Sequence, residues 1–210
     1  MEYLLWFLSL LCGYVIGNFQ TAILISRLRY HDDVRNHGSG NSGTTNMLRV
    51  FGIGPGALTF AGDFLKGLAA VAAGWLIGGE VGGCLSGLGA VLGHDFPVFF
   101  KLKGGKGVAS ALGIAWMLDP LCAAIATAAA FTVIFTSKMV SLGSLIGITV
   151  FLAAAVIMNM GNWLLLGTVA ILWVLIILRH TDNIRRLIKG EENKLLQRKK
   201  DVTNDKSGGA

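Results

Sequence analysis

The chain has 210 residues, of which 53% are hydrophobic and 14% charged, with a formal net charge of +6 and a mean hydropathy of +0.63. Soluble domains are about a quarter charged, so this composition argues against an ordinary soluble enzyme and for an all-α bundle in a bilayer. The basic residues are interleaved with apolar runs, which marks cytoplasmic loops rather than a nucleic-acid surface.

The chain becomes apolar almost at once, with no basic leader and no Ala-x-Ala cleavage site. The run from Leu4 to Ser26 is therefore expected to be a first membrane span rather than a removed signal. A polar segment follows, carrying Arg27, Arg29, His31, Asp32, Asp33 and Arg35, then Gly38-Ser39-Gly40-Asn41-Ser42-Gly43-Thr44-Thr45-Asn46, closed by Arg49. The apolar stretch Val50 to Ile77 exceeds the roughly 20 residues a span needs. Pro55, its neighbouring glycines, Asp63 and Lys66 interrupt it, so its first part is expected to be a loop or broken helix and the second span to run from Ala61 to Ile77. Gly78-Gly79-Glu80 makes a turn into a third span, Val81 to Phe100, and a basic loop to Lys106 leads to a short fourth, Val108 to Leu118. Asp119-Pro120 turns the chain into a fifth, Leu121 to Thr136, and Leu142 to Met158 and Trp163 to Leu178 complete about seven.

Charge orders these spans. Lys and Arg occupy alternate loops, at 27–49, 101–106, 138 and 179–200, while the turns at 78–80, 118–120 and 159–162 have none. With seven spans this puts the N-terminus outside and the C-terminus in the cytoplasm. Every polar, glycine-rich segment then lies on the cytoplasmic side. Residues 1–195 are expected to form a single membrane-embedded domain. The polar tail 196–210 is expected to be disordered, its Ser-Gly-Gly-Ala end resembling a cloning remnant. Cys12, Cys84 and Cys122 each lie in an apolar run and are expected to be packing residues. Glycines spaced as Gly13/Gly17, Gly79/Gly83/Gly87, Gly89/Gly93 and Gly143/Gly147 suit close helix packing in lipid. No internal repeat is visible, which weakens an inverted-repeat transporter.

Three constellations carry chemistry. The 38–49 segment offers hydroxyls, amides and the bidentate fork of Arg49 to a phosphate or carboxylate; its plainer reading is a turn-rich linker. Gly93-His94-Asp95-Phe96-Pro97 followed by Lys101, Lys103 and Gly104-Gly105-Lys106-Gly107 combines a titratable base or donor with a glycine-rich basic loop at a helix start, a plausible phosphate cradle. It is not a nucleotide P-loop, because position 100 is Phe100 and Lys106 is followed by Gly107. The third segment, His180 to Glu192, reads as an interfacial amphipathic helix with Ile184, Leu187 and Ile188 on one face, which leaves His180 and Asn183 unexplained. Asp63 and Lys66, three apart inside an apolar run, form either a buried ion pair or a site lining. Ser141 and Ser144 are either helix caps or phosphate donors. No cluster has metal-ligand spacing, and no cofactor is expected.

Together these residues carry a resemblance. Gly38-Ser39-Gly40-Asn41-x-Gly-x-Thr45-Asn46-x-Leu-Arg49, Gly93-His94-x-Phe-Pro97-x-Phe-x-Lys-x-Lys-Gly104-Gly105-Lys106-Gly107 and His180-x-x-Asn183-Ile-x-Arg186-Leu-x-x-Gly190-x-Glu192 resemble the three signature motifs of the bacterial membrane glycerol-3-phosphate acyltransferases that use acyl phosphate. Asp63-x-x-Lys66-Gly67 and Ser141-Leu-Gly-Ser144 fit as well, and Thr181 stands where an arginine is expected. The resemblance implies acyl transfer from a fatty acyl phosphate to the 1-hydroxyl of glycerol 3-phosphate at the cytoplasmic face of the cell (inner) membrane. The soluble enzyme that makes acyl phosphate is then a candidate partner. On this reading Lys106, the 104–107 backbone and Ser39 hold one phosphate. Arg49 holds another, with Asn183 and Ser144, and His94 or the donor's phosphate takes the hydroxyl proton. Gly38, Asn41, Thr45, Asn46, Lys66, His180, Arg186 and Glu192 complete the expected binding set. The rival reading is a transporter or channel for a small organic phosphate.

Overall fold

A computed structural model describes residues 1–195 of the chain; the expectation for 196–210 lies outside the described residues. The described chain is helical throughout its regular parts: α1 (Glu2–Gly17), α2 (Thr21–Tyr30), α3 (Thr44–Phe51), α4 (Ile53–Asp95), α5 (Val108–Leu118), α6 (Pro120–Ser137), α7 (Val140–Met158), α8 (Trp163–Arg179) and α9 (Thr181–Ile188). Among the described residues, four stretches are long and apolar enough to cross a membrane, Glu2–Tyr30, Ile53–Phe100, Pro120–Ser137 and Val140–Met158, and α8 with α9 makes a fifth if that pair, bent by 62°, is one span.

Local chemistry sets the helix ends. Asp119 accepts from the Cys122 N–H at 3.0 Å and caps α6, with Pro120 in its first turn. Its other oxygen accepts from Asn159 Nδ2 at 2.7 Å, tying the start of α6 to the end of α7. Asn162 caps α8 through the Leu165 N–H at 3.1 Å. α4 is 43 residues long and breaks at Gly78 and Gly79, where φ of Gly79 is +63°, a conformation open to glycine; the expected turn is there. It ends at Asp95 because Phe96 precedes Pro97 and is steered out of the helical region.

Two sequence expectations are corrected. The run Leu4 to Ser26 is not one helix; it breaks between α1 and α2. At the break Asn18 Nδ2 donates to Tyr14 O at 2.8 Å while its Oδ1 accepts from the Val98 N–H at 2.7 Å. Buried Gln20 donates to the His94 carbonyl at 3.0 Å and accepts from Ser42 Oγ at 2.9 Å. These polar groups gain more from cross-chain bonds than from continuing the helix. The stretch from Val50 does break, but at Gly52 between α3 and α4, and the second span starts well before Ala61: α4 begins at Ile53, and Pro55 falls in its first turn, where no intrahelical N–H bond is lost.

α1 packs along the second half of α4 through glycines. A Cβ on Gly13 would strike the Ser86 backbone, one on Gly17 the Ala90 backbone, and one on Gly93 the Tyr14 carbonyl. The two helices therefore touch backbone to backbone, as small residues allow in lipid. The main core, including Val91, Ile114, Phe151 and Leu172, lies between α4, α5, α6, α7 and α8. All three cysteines are free, with Cys84 and Cys122 buried as packing residues.

Candidate active site

The three polar segments meet at one end of the bundle. Arg35 bridges the first two, donating to the Phe100 and Lys103 carbonyls at 2.9 and 3.1 Å while paired with Asp33 at 2.7 Å. That pairing holds the Asp33 carboxyl far below its usual range. Arg179 joins the second to the third: it donates to Gly105 O at 2.8 Å, stands 3.7 Å from buried Asp95 and stacks over the Phe96 ring. Arg49 donates to Asn193 O at 3.2 Å, joining the first to the third.

Between them opens a cavity of about 500 Å³. One end is polar, walled by Ser39, Asn41, Thr44, Thr45, Asn46, Arg49, His94, Lys106, Gly107, Ser141, Ser144, His180, Asn183, Arg186 and Glu192. The other is apolar, walled by Phe60, Leu112, Phe131, Ile134, Phe135 and Phe151 of α4, α5, α6 and α7. Buried polar atoms without a partner among the described residues concentrate on the polar wall: Arg49 Nε, Thr44 Oγ, Ser141 Oγ and Asn41 Oδ1. A buried unpaired donor costs free energy, so three such donors on one concave wall mark a place for an acceptor-rich ligand.

A chain of side chains arms this wall. Lys106 donates to Asn183 Oδ1. Asn183 Nδ2 donates to Glu192 Oε1 at 2.8 Å, and Glu192 Oε2 accepts from Arg186 Nε at 3.0 Å. Glu192 thus orients two cations that would otherwise repel. Burial, and then the nearby Arg186 charge, pull Lys106 down to about 8, so it is a cation at neutral pH but only just. Burial also lowers the Arg49 guanidinium from its ordinary value, without discharging it. Both cations are costly where they stand, and both gain from an anion.

Several expected site residues stand elsewhere. Gly38 does not reach the cavity: it has φ +62°, and its backbone lies against the Asn46 amide. Gly104 and Gly105 do not line the cavity; the Gly105 N–H is spent on the His94 carbonyl at 3.1 Å, and the Gly105 carbonyl accepts from Arg179. A Cβ on Gly105 would strike the His94 ring, so these glycines let the loop fold over the imidazole. Lys66 lies behind the wall, paired with Asp63 at 2.9 Å and bonded to His94 Nδ1 at 2.7 Å, while Asp63 itself lines the cavity. Ser144 lines the cavity but donates to Val140 O at 2.9 Å, and His180 Nδ1 bonds Ile176 O at 2.8 Å.

Asn46 serves the loop as much as the cavity. Its side chain meets four partners at 2.9–3.1 Å: the Val34, His37 and Asn41 carbonyls share the two Nδ2 protons, and Oδ1 accepts from the Ser39 N–H. Asn46→Ala strands these groups and is expected to cost about 3 kcal/mol, read as a lower unfolding temperature in detergent. The sequence reading missed three clamps, Gln20, Arg35 and Arg179. Gln20 had a usable signal: a buried amide inside an apolar span must find a partner.

Comparisons with known proteins agree with this architecture. A family model described as glycerol-3-phosphate acyltransferase matches residues 7–190. The glycerol-3-phosphate acyltransferase of Thermoanaerobacter sp. (strain X514) is 41% identical over 192 residues, 91% of this chain and 96% of that protein. That of Finegoldia magna is 39% identical over 196 residues, 93% and 98% of the two chains. The crystal structure of PlsY (YgiH), an integral membrane glycerol 3-phosphate acyltransferase, in its glycerol 3-phosphate form superposes with a TM-score of 0.85 at 33% identity, covering 90% of this chain and 94% of that one. Its lysophosphatidic acid form gives a TM-score of 0.82 at 31% identity, with the same coverage. In sequence along nearly its whole length, and in fold, this chain belongs to the glycerol-3-phosphate acyltransferase family.

Proposed function

We propose that this chain transfers a fatty acyl group from acyl phosphate to the 1-hydroxyl of glycerol 3-phosphate, releasing lysophosphatidic acid and inorganic phosphate. The observation that carries the reading is the two-ended cavity, with cations and unpartnered donors at one end and apolar helix faces at the other. Both substrates are phosphates, and one also carries an acyl chain. Lys106 with Asn183, and Arg49 with Thr44 and Ser141, supply donors for the two phosphates, and Arg186 adds charge. The acyl chain lies between α4, α5, α6 and α7.

The donor is already activated, so the protein's task is to position two anions and stabilise developing charge. The 1-hydroxyl oxygen attacks the acyl carbonyl and a C–O bond forms. The bond from the acyl carbon to the phosphate oxygen breaks, and phosphate leaves with that electron pair. The hydroxyl proton goes to His94 or to a phosphate oxygen of the donor.

α1, the two halves of α4, α5, α6, α7 and α8 make seven crossings in this reading, with the N-terminus outside and residues 1–195 as one membrane-embedded unit. Alternation of Lys and Arg puts the cavity's polar end on the cytoplasmic side of the cell membrane, where glycerol 3-phosphate and the soluble enzyme that makes acyl phosphate would be found. The test is purified protein in lipid with acyl phosphate and labelled glycerol 3-phosphate. Lysophosphatidic acid and phosphate in equal amounts are expected; no lysophosphatidic acid, with acyl-CoA also inert, sinks the enzyme reading and revives that of a transporter.

A further inference from the structure

The group behind His94 has an arithmetic that the reaction scheme leaves unused. Lys66 is buried, and its Nζ meets three acceptors: the Phe19 carbonyl at 2.8 Å, Asp63 Oδ1 at 2.9 Å and His94 Nδ1 at 2.7 Å. An ammonium has three protons and no lone pair. The Phe19 carbonyl can only accept. Asp63 Oδ1 also accepts from Thr21 Oγ at 2.9 Å, so two donors converge on it, the pattern of a carboxylate paired with an ammonium. That carboxylate holds the proton on Lys66, because a neutral amine beside it would leave Asp63 a lone buried charge. The third proton of Lys66 therefore points at His94 Nδ1. A neutral imidazole that accepts at Nδ1 carries its hydrogen at Nε2, on the side over which Gly105 folds closely enough to exclude a Cβ.

We propose that Lys66, held by the Phe19 carbonyl and by Asp63, which Thr21 fixes in turn, is a positioning residue that fixes the His94 tautomer, so that His94 meets the substrates with an N–H and not with a lone pair. The inference rests on the acyl-transfer reading and deepens it. His94 then donates a hydrogen bond to a substrate oxygen. Of the two proton acceptors left open above, the donor's phosphate oxygen remains. Lys66 touches no substrate; it acts through His94. The placement of Lys66 outside the cavity wall, while Arg49, Lys106 and Arg186 line it, follows from that division of labour.

The experiment reads the tautomer directly. Full-length protein is labelled with 15N at histidine, reconstituted in lipid and recorded by solid-state NMR, with His94→Gln assigning the signal. Wild type is expected to show an unprotonated Nδ1 and a protonated Nε2 at His94. Lys66→Met, which keeps length and loses all three donors, is expected to release that preference and to lower kcat more than it raises KM. Among His94 variants, Gln keeps an N–H donor and is expected to retain at least ten times the turnover of Ala. A protonated Nδ1 in wild type that still makes lysophosphatidic acid overturns the proposal while leaving the acyl-transfer reading intact. A tautomer unchanged in Lys66→Met overturns it as well. Absence of turnover in wild type fails the function reading instead, and the tautomer measurement still stands on its own. Should Lys66→Met not fold, the wild-type spectrum and the Gln-to-Ala comparison decide.

Discussion

Lys106→Met is expected to lower kcat/KM for glycerol 3-phosphate and acyl phosphate by about 10²–10³-fold, the size of losing one preorganised donor to developing charge. The magnitude comes from where Lys106 sits. It is largely buried, fixed by Asn183, and shares a wall with Arg49 and Arg186. A charge-assisted bond in such a place is strong, and water cannot replace it. The same burial gives a pH signature. With the free lysine at about 8 against an ordinary value near 10.4, the ammonium is present below pH 8 and lost above it. kcat/KM, which reports the free enzyme, is therefore expected to fall as pH rises through about 8. A bound phosphate favours the ammonium, so kcat should hold level to higher pH. In Lys106→Arg the charge persists across this range, and the alkaline fall should vanish even if the absolute rate is lower. An alkaline limb that survives in Lys106→Arg assigns the titration to another group.

The second large effect concerns the scaffold. Gly13→Leu is expected to cost at least the roughly 3 kcal/mol at the upper end of overpacking, because the intruding atoms meet the Ser86 backbone and not a side chain that could turn away. α1 would have to lift off α4. His94 is carried at the end of α4, and Gln20, just beyond α1, holds its carbonyl, so activity should fall with stability. The control is Gly167→Ala in α8, where a Cβ meets nothing within 4 Å; relieving a helical glycine should stabilise by up to about 1 kcal/mol. Thermal unfolding in detergent reads both. Equal melting temperatures for Gly13→Leu and wild type would refute the backbone-to-backbone contact between α1 and α4.

Lys66 and Gly105 show where a motif changes meaning on folding. In the sequence, Lys66 is a cation near other anion-binding residues, and Gly104-Gly105 is a loop with free N–H groups. In the fold, Lys66 spends its protons behind the site, and Gly105 spends its N–H on the His94 carbonyl. The donors left over on the cavity wall are Thr44, Ser141 and Arg49 Nε. Which N–H is free is a matter of accounting across elements far apart in the chain, and no local pattern contains it.

By itself the sequence determined that the chain is helical and built for lipid, that its helices break at Gly78-Gly79 and Asp119-Pro120, and that its polar, glycine-rich residues gather in three segments. Those properties follow from composition, backbone freedom and capping, all local. Its motifs also determined the family. Only the tertiary structure decided that the first apolar run breaks at Asn18–Gln20 and that Asn46 holds up the loop it was expected to arm. It also decided that Lys106, Asn183, Glu192 and Arg186 act as one chain of bonds. Each of these depends on a partner 5 to 80 residues away, and a polar group's partner is chosen by what the fold brings within hydrogen-bond reach.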